Sequence, residues 1–164
     1  MKLYIKNKLI SVGGSSKVLD ENEKPVYKVK GKVFSITKKK KIMDMEGNKL
    51  YTVRNKFWRW LMNSALIYDA NGDKVAKVSQ KFSFAKKKFV VQGYKDEIKI
   101  ESNFVGLNYS IYKNEEILGT LKKEFFALTD SFALDIEKEE DAPLFVAFVI
   151  AIDNIHDKNM ADND

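Results

Sequence analysis

Cysteine is absent from the sequence, and with it go disulfides, thiol nucleophiles, zinc-thiolate centres and iron-sulfur clusters. That absence fits a reducing compartment. Histidine occurs once, at His156. Histidine is the usual general base, proton shuttle and metal ligand near neutral pH, so most triads and multi-histidine metal sites are excluded. Arginine is confined to Arg54 and Arg59, which leaves few of the bidentate forks that read bases, and no sequence-specific nucleic-acid binding is expected. No secretory leader is expected: in Met1-Lys2-Leu3-Tyr4-Ile5-Lys6-Asn7-Lys8 the apolar stretch Leu3 to Ile5 is bounded by Lys2 and Lys6, too short for a leader's hydrophobic region. The longest nearly apolar run, Ala142 to Ile152, falls well short of the roughly 20 residues that a membrane-spanning helix needs. A cytoplasmic location is the expectation, with peripheral attachment to a membrane as its extension.

What remains is ordinary for one folded domain. The chain has 164 residues, 45% hydrophobic and 32% charged, a size that buries roughly 70% of the unfolded surface without staples. The net charge is +6, nearly all of the excess being lysine, which favours anionic partners. Short alternating stretches rich in Val, Ile, Tyr, Phe and Leu run from end to end, near 3–6, 17–20, 26–32, 41–45, 50–56, 65–69, 74–81, 87–92, 97–102, 108–112, 117–123 and 131–136. Such spacing predicts an antiparallel, mainly β domain of twelve strands.

The strands pair into a repeated hairpin. Ile42-Met-Asp44-Met-Glu-Gly47 through Val53 to Lys56-Phe57 matches Ile67-Tyr-Asp69-Ala-Asn-Gly72 through Val78 to Lys81-Phe82, offset by 25, with looser copies beginning at Val18 and Ile111. In each, an Asp can accept backbone N–H groups at the turn, and Asn or Gly tolerates positive φ. After Ile136 the pattern changes: Glu137 to Asp141 is an acidic helix start, Pro143 sits just inside it, and Leu144 to Ile152 is apolar on every face. A helix over about 142–156 that is hydrophobic all round and too short for a bilayer belongs inside a protein. Its length of roughly 22 Å suits the inside of a barrel. Twelve strands enclose more space than their own side chains fill, so a closed barrel plugged by this helix is predicted, and a ligand cavity is not. Residues 1–156 form the domain; the polar stretch 157–164 is expected to be a disordered tail.

The Asp-x-x-Gly hairpins followed by Lys-Phe, the opening Met1-Lys2-Leu3-Tyr4-Ile5-Lys6, the stretch Tyr27-Lys28-Val29-Lys30-Gly31-Lys32-Val33-Phe34-Ser35, and the ending from Ala133-Leu134-Asp135-Ile136 to Ala151-Ile152-Asp153 resemble bacterial members of the LURP-one-related family. The resemblance covers essentially the whole chain. It implies membership of the tubby C-terminal-like superfamily, which includes the phospholipid scramblases, and a twelve-stranded barrel around a central C-terminal helix. It further implies a link to membranes or phosphoinositide headgroups, but the motifs of those binding residues are not matched here and none is carried over.

Two groups of residues are candidate contacts. Lys38, Lys39, Lys40 and Lys41 lie between two strands, and Lys86, Lys87 and Lys88 lie in a comparable place, with Lys122-Lys123 near another strand end. On one rim they would form a patch for anionic lipid; apart, they are a solvated surface or edge protection. Trp58, Arg59 and Trp60, within Phe57 to Met62, interrupt the alternation and offer either a lipid-interface or partner contact, or a cap on the barrel. Asp153, His156 and Asp157 make too poor a ligand set for a metal, and Asp69 to Asp73 has its Gly misplaced for a calcium loop. No catalytic, cofactor or metal residue is assigned. The sequence therefore predicts a non-enzymatic binding module for anionic phospholipid or, in the alternative, a protein-interaction scaffold.

Overall fold

The computed structural model describes residues 1–6, 15–31, 38–56, 64–81, 87–93, 97–103, 108–125 and 130–161. Among them are twelve strands: β1 (Lys2–Lys6), β2 (Ser15–Asp20), β3 (Pro25–Gly31), β4 (Lys40–Met43), β5 (Lys49–Asn55), β6 (Ser64–Tyr68), β7 (Lys74–Lys81), β8 (Lys88–Gln92), β9 (Ile98–Ser102), β10 (Asn108–Lys113), β11 (Glu116–Phe125) and β12 (Asp130–Ile136). One 3-10 turn, Glu139–Asp141, leads into the helix α1 (Ala142–Ala161). Each strand pairs antiparallel with its neighbours in sequence, and β1 closes the sheet on β12 through pairs such as Leu3 with Leu134 and Ile5 with Phe132. The result is the closed, helix-plugged barrel that the alternation predicts.

The repeat has a local cause. Asp44 accepts the N–H groups of Gly47 and Asn48 at 2.8 Å each, and Asp69 accepts those of Gly72 and Asp73 at 2.9 Å each. Asp20 takes the same role for Asn22 and Lys24. Bonds from the Asn48 side chain and from backbone N–H groups hold the Asp44 carboxyl below its ordinary pKa. Gly47 and Gly72 have φ of +99° and +97°, which a side chain rarely tolerates. In the later copy Asn114 and Glu115, both at positive φ, make the two-residue turn. Each of these hairpins shifts register at the equivalent place, after Val18, Ile42, Ile67 and Ile111. Such bulges bend and coil a strand, so the module repeats the curvature as well as the turn.

Because every connection is a hairpin, the two ends of the barrel differ. The connections after β2, β4, β6, β8 and β10 share one end, the turn end, with the entry to the helix. The connections after β1, β3, β5, β7, β9 and β11 share the other, the loop end. The helix enters at the turn end and runs toward the loop end, where Asp153 meets Lys40 at the start of β4.

The inward row of each strand packs on this helix: Leu3, Ile5, Val18, Val29, Ile42, Val53, Ile67, Val78, Phe89, Ile100, Ile111, Leu121 and Leu134 are all buried. From Leu144 to Ile152 no helix residue is more than 4% exposed, so this stretch has no solvent face. It packs closest to β5 and β6, and small Ala65 and Ala76 permit that approach while Phe89 and Tyr109, with ring centroids 6.3 Å apart, fill the wider side. Burial pushes the Tyr109 phenol up to about 12. The helix differs from expectation at its far end, continuing to Ala161. Asp157 to Met160 contains neither Gly nor Pro, so nothing in the sequence stops the helix where the polarity changes.

Truncating the plug tests this packing. Phe148→Ala is expected to cost about 3–5 kcal/mol in urea unfolding, the range for deleting a buried aromatic from a core that cannot collapse; a loss below about 1 kcal/mol would show that Phe148 is not enclosed.

Candidate functional site

The loop end carries most of the residues that the sequence marks. Alternation along β4 decides what each lysine does there. Ile42 points inward, so Lys40 does too, and Lys41 points out. Lys40 is accordingly corrected out of the anionic-ligand set. Its Nζ lies 3.1 Å from Asp153 Oδ2, with the two side chains 11% and 8% exposed. Beside this pair the Asn55 amide donates to the Asn154 carbonyl at 3.1 Å, and the Asn154 amide donates to the Lys38 carbonyl at 3.0 Å. The Asn55 and Asn154 side-chain oxygens are buried without a hydrogen-bond partner among the described residues. The helix is thus tied to β4 and β5 by a polar layer set just inside the loop end.

The other candidates stay outside the barrel. Lys38, at φ +46°, and Lys39 are half-buried, and Lys41 is exposed. Lys87 is fixed by its backbone, its N–H donating to Ser102 Oγ at 2.8 Å. Desolvation, reinforced by the Lys123 ammonium, pulls its own ammonium below the ordinary lysine pKa. That influence of Lys123 brings two of the sequence's separate lysine runs to one place. Lys88 pairs with Glu101 at 3.1 Å, a partly exposed bridge worth at most about 1 kcal/mol. Phe57, Trp58, Arg59, Trp60, Phe82 and Lys86 lie outside the described residues.

Strand pairing adds lysines that sequence position alone does not single out. Lys30 lies opposite Lys41, Lys17 opposite Lys28, and Lys81 opposite Lys88. Most of the described acidic residues go the other way: Asp20, Glu21, Glu23, Asp44, Glu46, Asp69, Asp73, Glu115 and Glu116 sit in or beside the turns and Glu139, Glu140 and Asp141 in the helix entry, where they outnumber lysines such as Lys24, Lys49, Lys74, Lys113 and Lys138, while Glu101 stays near the loop end. Charge is therefore graded along the barrel axis. Arg54, on the outer face of β5, lies over the Tyr68 ring, 4.5 Å from its centroid, and its Nε donates to the Tyr68 hydroxyl at 3.1 Å.

Over residues 1–153 the sequence matches the LURP-one-related proteins. The chain belongs to the LURP-one-related family. It is 26% identical over 157 residues to the uncharacterized protein YxjI of Bacillus subtilis (strain 168), covering 94% of this chain and 93% of that one. It is also similar to the X-ray structure of an Arabidopsis thaliana protein, with a TM-score of 0.62, 16% identity, and coverage of 96% of this chain and 91% of the other. At that identity the likeness concerns the fold.

In this LURP-one-related chain no helix among the described residues is long and apolar enough to cross a membrane. Asp153, considered from sequence as a weak metal ligand, is committed to Lys40. A buried pair of this kind is costly to break from one side, because the abandoned charge stays desolvated. Lys40→Met is therefore expected to cost about 3–5 kcal/mol in urea unfolding, and the double change Lys40→Met/Asp153→Leu to recover much of the loss. Additive losses in the double variant would contradict the pairing.

Proposed function

We propose that this LURP-one-related protein is a non-enzymatic, cytoplasmic binding module that docks by the loop end of its barrel on anionic phospholipid surfaces. The observation that carries this reading is the charge gradient along the barrel axis. Lys30, Lys41, Lys81, Lys87 and Lys123 lie at or near the loop-end termini of their strands, whereas the acidic turns cluster at the opposite end. A barrel end of this sign approaches a negative leaflet with its acidic end turned away. Each lysine near such a surface contributes about 1 kcal/mol, screened within a Debye length of about 10 Å at 0.1 M salt.

Two further features support a surface function. The interior is filled by α1 and its packing partners, which leaves the surface as the place to look for a ligand. The perturbed ammonium groups of Lys77 and Lys87 are accounted for by desolvation and neighbouring ammonium groups rather than by a base beside a nucleophile. The resemblance to the tubby C-terminal-like superfamily points toward membranes as well.

Co-sedimentation with vesicles of phosphatidylcholine, with and without phosphatidylserine, tests the reading. The protein should pellet only with the anionic vesicles and at low ionic strength, and the bound fraction should fall several-fold at about 0.15 M salt. Equal retention on neutral vesicles, or none on either, would reject lipid docking and favour a protein partner at the Trp58, Arg59 and Trp60 segment.

A further inference from the structure

The outer face of β5, β6 and β7 near the loop end holds an arrangement that lysine-rich solubility alone does not require. Ser64 and Ser79 are cross-strand partners. Ala65 and Val78, the next residues along, point inward and are fully buried, so both serines lie on the outer row. They are nevertheless only 3% and 7% exposed, and neither hydroxyl has a hydrogen-bond partner among the described residues. An unpaired buried hydroxyl is costly, and here two stand side by side.

Lysines surround them. The Lys56 N–H donates to the Ser64 carbonyl at 3.3 Å, which places Lys56 directly across from Ser64 on the outer row. Lys77 and Lys81 flank Ser79 two residues to either side on β7. Neighbours at these positions stand about 5–8 Å apart. The remaining outer positions in cross-strand reach are Arg54 and Leu66 on one side and Lys88, Val90 and Gln92 on the other. None is a carboxylate, and Lys88 already holds Glu101. Desolvation, with the repulsion of Lys56, Lys81 and Lys74, holds the Lys77 ammonium below its ordinary pKa. Unpaired donors ringed by mutually repelling cations are unfavourable, and one bound anion relieves both costs.

We propose that Ser64 and Ser79, with Lys56, Lys77 and Lys81, form a site for a phosphate monoester group. Three cations match a dianion, and two hydroxyls supply directional donors to its oxygens. The site refines the loop-end reading above and rests on it for the sign of the ligand; the phosphate could be free or borne by a lipid, and the experiment separates these sources.

The test is thermal unfolding and amide-shift NMR of the full chain with inorganic phosphate against chloride at matched ionic strength, followed by sedimentation with phosphatidic acid and phosphatidylserine vesicles of equal charge. Phosphate should raise the midpoint and shift amides of residues 54–56, 64–66 and 77–81. Lys77→Met should keep or raise the midpoint without phosphate, because it removes a repelled charge, and should bind phosphate at least tenfold more weakly. Ser64→Ala/Ser79→Ala should lose the response as well, and Lys49→Met, at the turn end, should retain it. Preference for phosphatidic acid assigns a lipid headgroup; a phosphate response without vesicle binding supports the site for soluble phosphate compounds and rejects the membrane reading. Vesicle binding with no phosphate response, or a response unchanged by Lys77→Met, overturns the site and leaves the membrane reading standing.

Discussion

The interior of a twelve-stranded barrel is too wide for its own side chains to close, and the rest of this structure follows from how that space is filled. An element inside it meets sheet on every side, so it must be apolar on every face. Leu144 to Ile152 meets that condition. Burying each large side chain there contributes roughly 1.5–3 kcal/mol, and the same burial holds the inward row of every strand in place. The helix comes last in the chain and enters past β12, so the fold is a sheet rolled around its own C-terminus. A filled interior also moves the search for function to the outside.

The outside is not uniform, because a barrel of successive hairpins sorts its connections by parity. One end receives the Asp-led turns, which are compact and acidic because their geometry uses carboxylates as acceptors. The other receives the longer connections and the lysine-rich strand ends. The gradient of charge is therefore partly a by-product of turn chemistry repeated around the barrel. The Lys40–Asp153 pair and the Asn55 and Asn154 amides lie where the apolar interior gives way to that basic end. Replacing such a layer with apolar residues often stabilises a protein, so its value lies more in fixing how the helix seats than in net stability.

Much of the fold was legible from the sequence because the strands alternate and one Asp-led turn recurs after β2, β4 and β6; the alternation alone locates β7 to the residue, at Lys74 to Lys81. The site was less legible. Lys40 sits in a run of four lysines and looks like surface, yet the alternation from Ile42 and a lone Asp153 in an apolar helix were together the signal that it turns inward. Lys56, Lys77 and Lys81 are isolated among other residues in the chain. What gathers them around Ser64 and Ser79 is strand register, which a single sequence does not specify. The helix α1 runs past the change of polarity at Asp157, where no Gly or Pro enforces a stop, to Ala161. The Trp58 to Trp60 segment lies outside the described residues.

The measurement that bears most directly on a filled barrel with a working basic end is hydrogen exchange of the full chain, residue by residue, with and without anionic vesicles. Amides of 144–152 should exchange only on global unfolding and be unchanged by lipid, while new protection should appear at the loop-end termini of β3, β4, β7, β8 and β11. Fast exchange within 144–152, or protection gathered at the acidic turns, would contradict the account.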